Sequence, residues 1–130
     1  MLVDLDHFEA LNARYGRAVG DAVLGEAALI LKMTLRETDL VARLGADTFA
    51  VVLPETDSLP ALRCADRLCR ALEDHSFARV GRISASAGVA AGPRDGLEAV
   101  EVLHHADEAL TCAKKSGRRR VSVSPQTHSH

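Results

Sequence analysis

Two apolar runs, Leu40-Val41-Ala42-Arg43 and Phe49-Ala50-Val51-Val52-Leu53, meet through a short segment around Gly45, and Pro54 follows the second. Alternating residues on both sides of a glycine turn predict an antiparallel hairpin. Proline cannot donate to a ladder, so the second strand ends there. A hairpin needs further strands beside it and helices over its buried face. The rest of the chain supplies both.

Met1-Leu2-Val3 reads as the end of a buried strand running into Asp4. Asp6 suits the N-cap of a short helix, His7 to Tyr15, ended by Gly16. Gly20-Asp21 then opens a longer helix in which Val23, Leu24, Ala27, Ala28, Leu31 and Leu35 recur at spacings of three and four. Leu59 to Leu72 predicts a third helix, with Leu62, Ala65, Leu68, Cys69 and Leu72 inward and Arg63, Asp66, Arg67 and Arg70 outward. Arg82 to Ala90 is a strand of small side chains, suited to close helix packing. A loop at 92–96, a helix from Leu97 to Lys115 and a short strand, Arg120 to Val123, complete the pattern. The order β-α-α-β-β-α-β-α-β predicts an α+β fold, a mostly antiparallel central sheet flanked by helices. One domain covers 1–123, and the polar stretch 124–130 reads as a disordered tail.

Composition narrows the classes of function. The 47% hydrophobic and 26% charged residues are those of an ordinary globular domain. Aromatic residues make up only 3%, so the core rests on Ala, Leu and Val. A net charge of −2 gives no general attraction to nucleic acid or to an anionic membrane. No apolar run approaches the roughly 20 residues of a membrane span, and no secretory pattern opens the chain. A cytoplasmic location is the expectation. Cys64, Cys69 and Cys112 form no C-x-x-C pair and read as buried free thiols.

Several residues carry chemistry. Asp4 leaves its strand where Asp47, on the hairpin turn, should arrive, and two such carboxylates suit Mg²⁺, which prefers oxygen ligands. Taken singly, they also read as a strand-end cap and a turn acid. Asn12 and Asp21 flank the Gly16 turn, and an amide with a carboxylate matches the donor edge of guanine. Lys114 and Arg118 suit phosphate, or simply complement a helix C-terminus. Arg36-x-x-Asp39 pairs a guanidinium fork with a carboxylate.

In order along the chain stand Asp4-x-Asp6-x-Phe8, Asn12, Tyr15-Gly16, Gly20-Asp21, Arg36-x-x-Asp39, Ala42-Arg43, Gly45-x-Asp47-x-Phe49, Ser86-x-Gly88-Val89-Ala90, Ala106-Asp107-x-Ala109, Ala113-Lys114 and Gly117-Arg118. This set resembles the GGDEF family, the diguanylate cyclases that condense two GTP into cyclic di-GMP, from residue 3 to about residue 121. The resemblance implies a nucleotidyl-cyclase-like fold with a ferredoxin-like palm. It implies Asp4, the Leu5 carbonyl and Asp47 as ligands of Mg²⁺, with Asp47 in the catalytic position. It further implies substrate contacts from Asn12 and Asp21 to guanine, from Gly45 to the approaching nucleotide, and from Lys114 and Arg118 to the triphosphate. Arg36 and Asp39, joined by Arg67, would form the family's inhibitory site for cyclic di-GMP, and Arg63 lies one turn away. Catalysis in the family needs two copies face to face.

The chain departs from the family pattern within the signature itself, where Gly45-Ala46-Asp47-Thr48-Phe49 stands for Gly-Gly-Asp/Glu-Glu-Phe. A Cβ on Ala46 would cost about 1–2 kcal/mol if that position needed a left-handed backbone. Thr48 removes a carboxylate beside the reacting hydroxyl. Glu9 stands where the family has lysine, and Arg17 where it has histidine. Relatives carry some forty further residues ahead of Asp4, so a truncated N-terminus is expected. The resulting expectation is a degenerate GGDEF domain that binds cyclic di-GMP, with GTP as a further ligand and little or no cyclase activity. The alternatives are a working, Mg²⁺-dependent dimeric cyclase, and a scaffold for a protein partner.

Overall fold

A computed structural model describes residues 1–93, 95–96 and 98–124. Its elements run β1 (Leu2–Leu5), α1 (Phe8–Tyr15), α2 (Arg17–Thr34), β2 (Leu40–Leu44), β3 (Thr48–Val52), α3 (Ser58–Asp74), β4 (Ser76–Phe77), β5 (Gly81–Arg82), β6 (Ala85–Val89), α4 (Ala99–Lys115) and β7 (Val121–Val123). The expected α+β architecture is present. Five strands lie in the order β2-β3-β1-β6-β7, antiparallel except for the parallel pairing of β6 with β7.

Alternation along β1 decides what each face receives. Val3 and Leu5 point to one side, where they join Phe49, Val51, Ala85, Ala87 and Val89 under α2 and α3. Leu24, Leu31, Leu68 and Leu72 come down onto that face at helical spacing and are 2% exposed or less. Each such leucine stabilises the fold by roughly 1.5–3 kcal/mol relative to an exposed position. Leu2, Asp4 and Asp6 point the other way, toward α4. Gly88 lets α4 in: a Cβ there would meet Ala106 O at 2.2 Å and Leu110 N at 2.3 Å. Beside α4, the outer face of the hairpin carries exposed Leu40, Leu44 and Val52. Leu44 and Val52 belong to an apolar groove of about 540 Å³.

The structure corrects several boundaries. Asp6 does not cap α1. His7 takes the N-cap in a left-handed conformation (φ 57°), and no side chain bonds the helix start. Asp6 is drawn instead to Ser84, just before β6, and to Ser86 within it, as described below. The second helix begins at Arg17, not Gly20, because Gly16 (φ 91°) alone turns the chain between the two helices. Gly20 answers to packing instead: a Cβ there would lie 1.8 Å from Asn12 Oδ1. The long strand expected from Arg82 divides, and Gly81–Arg82 pairs with Ser76–Phe77 in a separate ribbon that sequence reading missed. Ser124 does not belong to a disordered tail, since it is buried and its N–H donates to Val89 O at 2.8 Å. The tail expected over 125–130 and Leu97, the expected start of the last helix, lie outside the described residues. Cys64 and Cys69 are buried free thiols, and burial pushes the Cys69 thiol up to about 12, but Cys112 is exposed. No described helix is long and apolar enough to cross a membrane.

Candidate functional site

Asp4 lies at the centre of the second face, and its register names its neighbours: Thr48 on β3 and Ser86 on β6. The residue is 2% exposed. Lys114, in the last turn of α4, reaches back 110 residues in sequence to place its ammonium on Asp4 Oδ2. The other oxygen, Asp4 Oδ1, is buried and has no hydrogen-bond partner. A buried carboxylate oxygen left bare is costly, and it is the donor a hard cation prefers.

Asp47 leaves the three-residue turn between Leu44 and Thr48. Burial pushes its carboxyl above the usual carboxylate range, the negative charge of Asp4 adds to this, Lys114 opposes it, and Glu9 adds again. The field therefore brings residues 4, 9, 47 and 114 into one neighbourhood. A cavity of about 340 Å³ opens there, lined by Leu5, Asp6, Glu9, Asp47, Lys114 and Arg118 among others. Its wall includes the start of α1, whose first N–H groups meet no capping side chain. Such N–H groups with two cations nearby suit an anion. The donor set of Asp4, Asp47 and the Leu5 carbonyl fits a divalent cation, on the evidence of the orphaned Asp4 Oδ1. No cluster of three or more His, Cys, Asp or Glu side chains adds to it among the described residues.

Asp6 was not singled out as a site residue from sequence, yet it holds this cavity together. Its Oδ1 accepts from Ser86 Oγ at 2.7 Å, and its Oδ2 from Ser84 Oγ at 2.7 Å and from the Arg119 N–H at 3.0 Å. The Arg119 N–H also donates to Ser86 Oγ. That anchor fixes the turn after α4, where Arg118 (φ 63°) and Arg119 (φ 53°) both take the left-handed conformation. Two such residues in succession are costly unless pinned. The signal in sequence is Asp4-x-Asp6, running from β1 just past its end, facing Ser84-x-Ser86, which runs into the start of β6.

The signature turn carries less strain than expected. Gly45 has the left-handed backbone (φ 70°), and its carbonyl accepts from Arg43 Nε at 3.1 Å. Ala46 is absent from the left-handed residues, so its Cβ carries no such cost. Thr48 stands directly opposite Asp4 in the register of β3 with β1.

Asn12 and Asp21 are not brought to this cavity. Asn12 packs over Gly20 between α1 and α2, with Oδ1 buried and unpartnered. Asp21 lines a separate groove of about 220 Å³ between α2 and the hairpin, with Val41, Arg43 and Phe49.

Arg36 and Asp39 form a site apart, at the far end of the hairpin. The Arg36 N–H and Nε donate to Asp39 Oδ2 at 2.9 and 3.2 Å, and Nη2 donates to Asp39 Oδ1 at 3.0 Å. Nη2 also reaches Thr56 Oγ1 at 3.1 Å. The Asp39 side chain is 2% exposed and that of Arg36 61%. The Arg36 side-chain hydrogen bond holds the Asp39 carboxyl below its usual range, burial opposes this, and the charge of Arg67 contributes in the same sense as Arg36. Arg67 is thus within electrostatic reach from the exposed face of α3.

Comparison with known proteins bears on the family and the fold. The sequence model described as "Diguanylate cyclase, GGDEF domain" matches residues 1–120. The probable diguanylate cyclase DgcE of Escherichia coli is 40% identical over 126 residues, covering 95% of this chain but 11% of DgcE. Among solved structures, the GGDEF domain of YfiN (TpbB) from Pseudomonas aeruginosa superposes with a TM-score of 0.88 at 35% identity, over 95% of this chain and 79% of that one. The GGDEF domain of DgcB from Caulobacter crescentus, solved in complex with cyclic di-GMP, gives 0.85 at 25% identity, over 95% and 75%. With the family model matched over residues 1–120 and the fold shared with solved GGDEF domains, the chain belongs to the GGDEF family.

Proposed function

We propose that this domain binds cyclic di-GMP through Arg36, Asp39 and Arg67 and turns over GTP weakly or not at all. The observation that carries this reading is the preformed Arg36–Asp39 pair, three hydrogen bonds within four residues, with the guanidinium open to solvent. A guanidinium offers paired donors to a phosphate or to the guanine Hoogsteen edge. Asp39 accepts from the guanine ring N–H and amino group. The complex of the related DgcB domain with cyclic di-GMP supports the choice of ligand.

A second reading, a working cyclase, is favoured by the cavity and by the relaxed backbone at Ala46. In it Asp4, Asp47 and the Leu5 carbonyl hold Mg²⁺, which would neutralise and orient the triphosphate. Lys114 and Arg118 balance the remaining phosphate charge, Asn12 and Asp21 receive guanine, and a second copy faces the first. Thr48 leaves this arrangement without the glutamate beside Asp4, which places the reading second.

Calorimetric titration with cyclic di-GMP tests the proposal. Saturable binding is expected, weakened on the order of a hundredfold in Arg36→Ala by loss of a charged two-pronged contact. A flat trace from folded protein overturns it. Turnover of GTP abolished by Asp47→Ala would establish the second reading instead. If turnover is weak, Thr48→Glu should raise it and Ala46→Gly should leave it unchanged.

A further inference from the structure

Lys114 stands out because its position does not match what a phosphate-binding lysine needs. It lies on Oδ2 of Asp4, beside the bare Oδ1, at the edge of the cavity that it lines with the uncapped start of α1 and Arg118. We propose that Lys114 is an internal counter-ion of Asp4, its charge standing beside the bare Oδ1 against a lone divalent cation, and that it moves to phosphate only when a cation and a polyphosphate arrive together.

Three observations carry this. Asp4 is buried, so its charge needs a nearby cation in every state of the domain. Asp4 Oδ1 has no partner although Oδ2 has Lys114, so one ammonium leaves half of the carboxylate unserved. Lys114 is itself 36% exposed at the end of α4, so its head has room to swing without unpacking the helix. A divalent cation alone at Oδ1 would stand against the charge of Lys114, with no phosphate to receive that ammonium. A polyphosphate alone would have to draw Lys114 away and leave a bare buried carboxylate. When both enter, Lys114 exchanges one anionic partner for another, and Asp4 keeps a cation throughout. The two ligands therefore favour each other's binding, and the coupling is reciprocal.

Binding of Mn²⁺ alone, followed by loss of the free-ion electron spin resonance signal, reads this without nucleotide. Lys114→Met, which keeps the stem and removes the charge, should bind Mn²⁺ on the order of tenfold more tightly than the parent. Lys114→Gln should do the same, and Asp4→Asn should remove binding in either background. In the unaltered protein, Mg²⁺ together with inorganic tripolyphosphate should shift the NMR signals of the Lys114 side chain as it leaves Asp4. Unchanged or weaker Mn²⁺ affinity in both Lys114 variants overturns the proposal. So do a Lys114 signal unmoved by saturating Mg²⁺ with tripolyphosphate, Mn²⁺ binding that survives Asp4→Asn, or no Mn²⁺ binding in any of these proteins. The proposal stands apart from the cyclic di-GMP reading, whose failure would appear as a flat cyclic di-GMP titration with the Mn²⁺ result intact.

Discussion

Asp39 and Asp47 sit at opposite ends of one hairpin, and their carboxyls are pushed in opposite directions. Asp39 is held low by Arg36, three residues before it. Asp47 is held high by burial and by Asp4, forty-three positions away in sequence. The first site is locally built and locally neutral: four residues make a turn, and the turn supplies its own cation. The second is assembled from β1, the hairpin turn, α4 and the loop after it, and these carry more negative charge than Lys114 balances. A self-satisfied site is complete without a ligand, whereas one with an excess of buried acid needs a cation to complete it. The two sites should therefore respond differently to damage in the scaffold.

The largest separation should come from Gly88→Ala. The new Cβ meets backbone atoms of α4, which cannot rotate away as a side chain could. The cost should be about 3 kcal/mol, at the upper end for overpacking, read by urea unfolding. Because α4 carries Lys114, its contact with Asp4 should be disturbed and Mn²⁺ affinity at Asp4 should change, while cyclic di-GMP affinity in the folded fraction changes little. Equal loss of both ligands would break the comparison and tie the two sites to one scaffold.

Next in size is Asp6→Ala. It strands Ser84 Oγ, Ser86 Oγ and the Arg119 N–H and releases the left-handed Arg118-Arg119 turn. Removing one buried partner from such a network costs roughly 2–3 kcal/mol, visible as a lower melting temperature. Cyclic di-GMP binding should persist below that temperature. A variant as stable as the parent would show that the turn holds its shape without Asp6.

These same distances explain what was legible in sequence. The hairpin, the helical stripes of α2 and α3 and the Arg36-x-x-Asp39 turn are patterns within a few residues, and each appeared where expected. The sheet order and the arrival of Lys114 on Asp4 depend on packing across 110 residues, which no local pattern records. Asp6 was read as a helix cap because a cap is the local use of an aspartate before a helix. Its tertiary partners, Ser84 and Ser86, outcompeted that use. Whether Ala46 bears strain depends on which turn residue is left-handed, and the observed turn places that conformation at Gly45.

The smallest effect tests the comparison most directly. The folded state raises the pKa of Asp47, so folding favours its protonated form. Its help to stability is full below the unfolded value of 3.8 and is lost as pH rises through the raised folded value. At neutral pH the charged group opposes folding. Asp47→Asn should then stabilise the domain at pH 7, by about 0.5 kcal/mol once solvent screening of a half-buried group is allowed for. That gain should vanish near pH 3. Asp39 has the opposite sign. Its lowered pKa means a contribution present above 3.8 and lost as pH falls through the folded value, so Asp39→Asn should destabilise at pH 7 and approach the parent in acid. Melting temperatures of the two variants between pH 3 and 8 should lie on opposite sides of the parent at neutral pH and converge at the acid end. Two curves on the same side at pH 7 would mean that both carboxylates are held by the same kind of field, and that the cavity at Asp4 is not short of a cation.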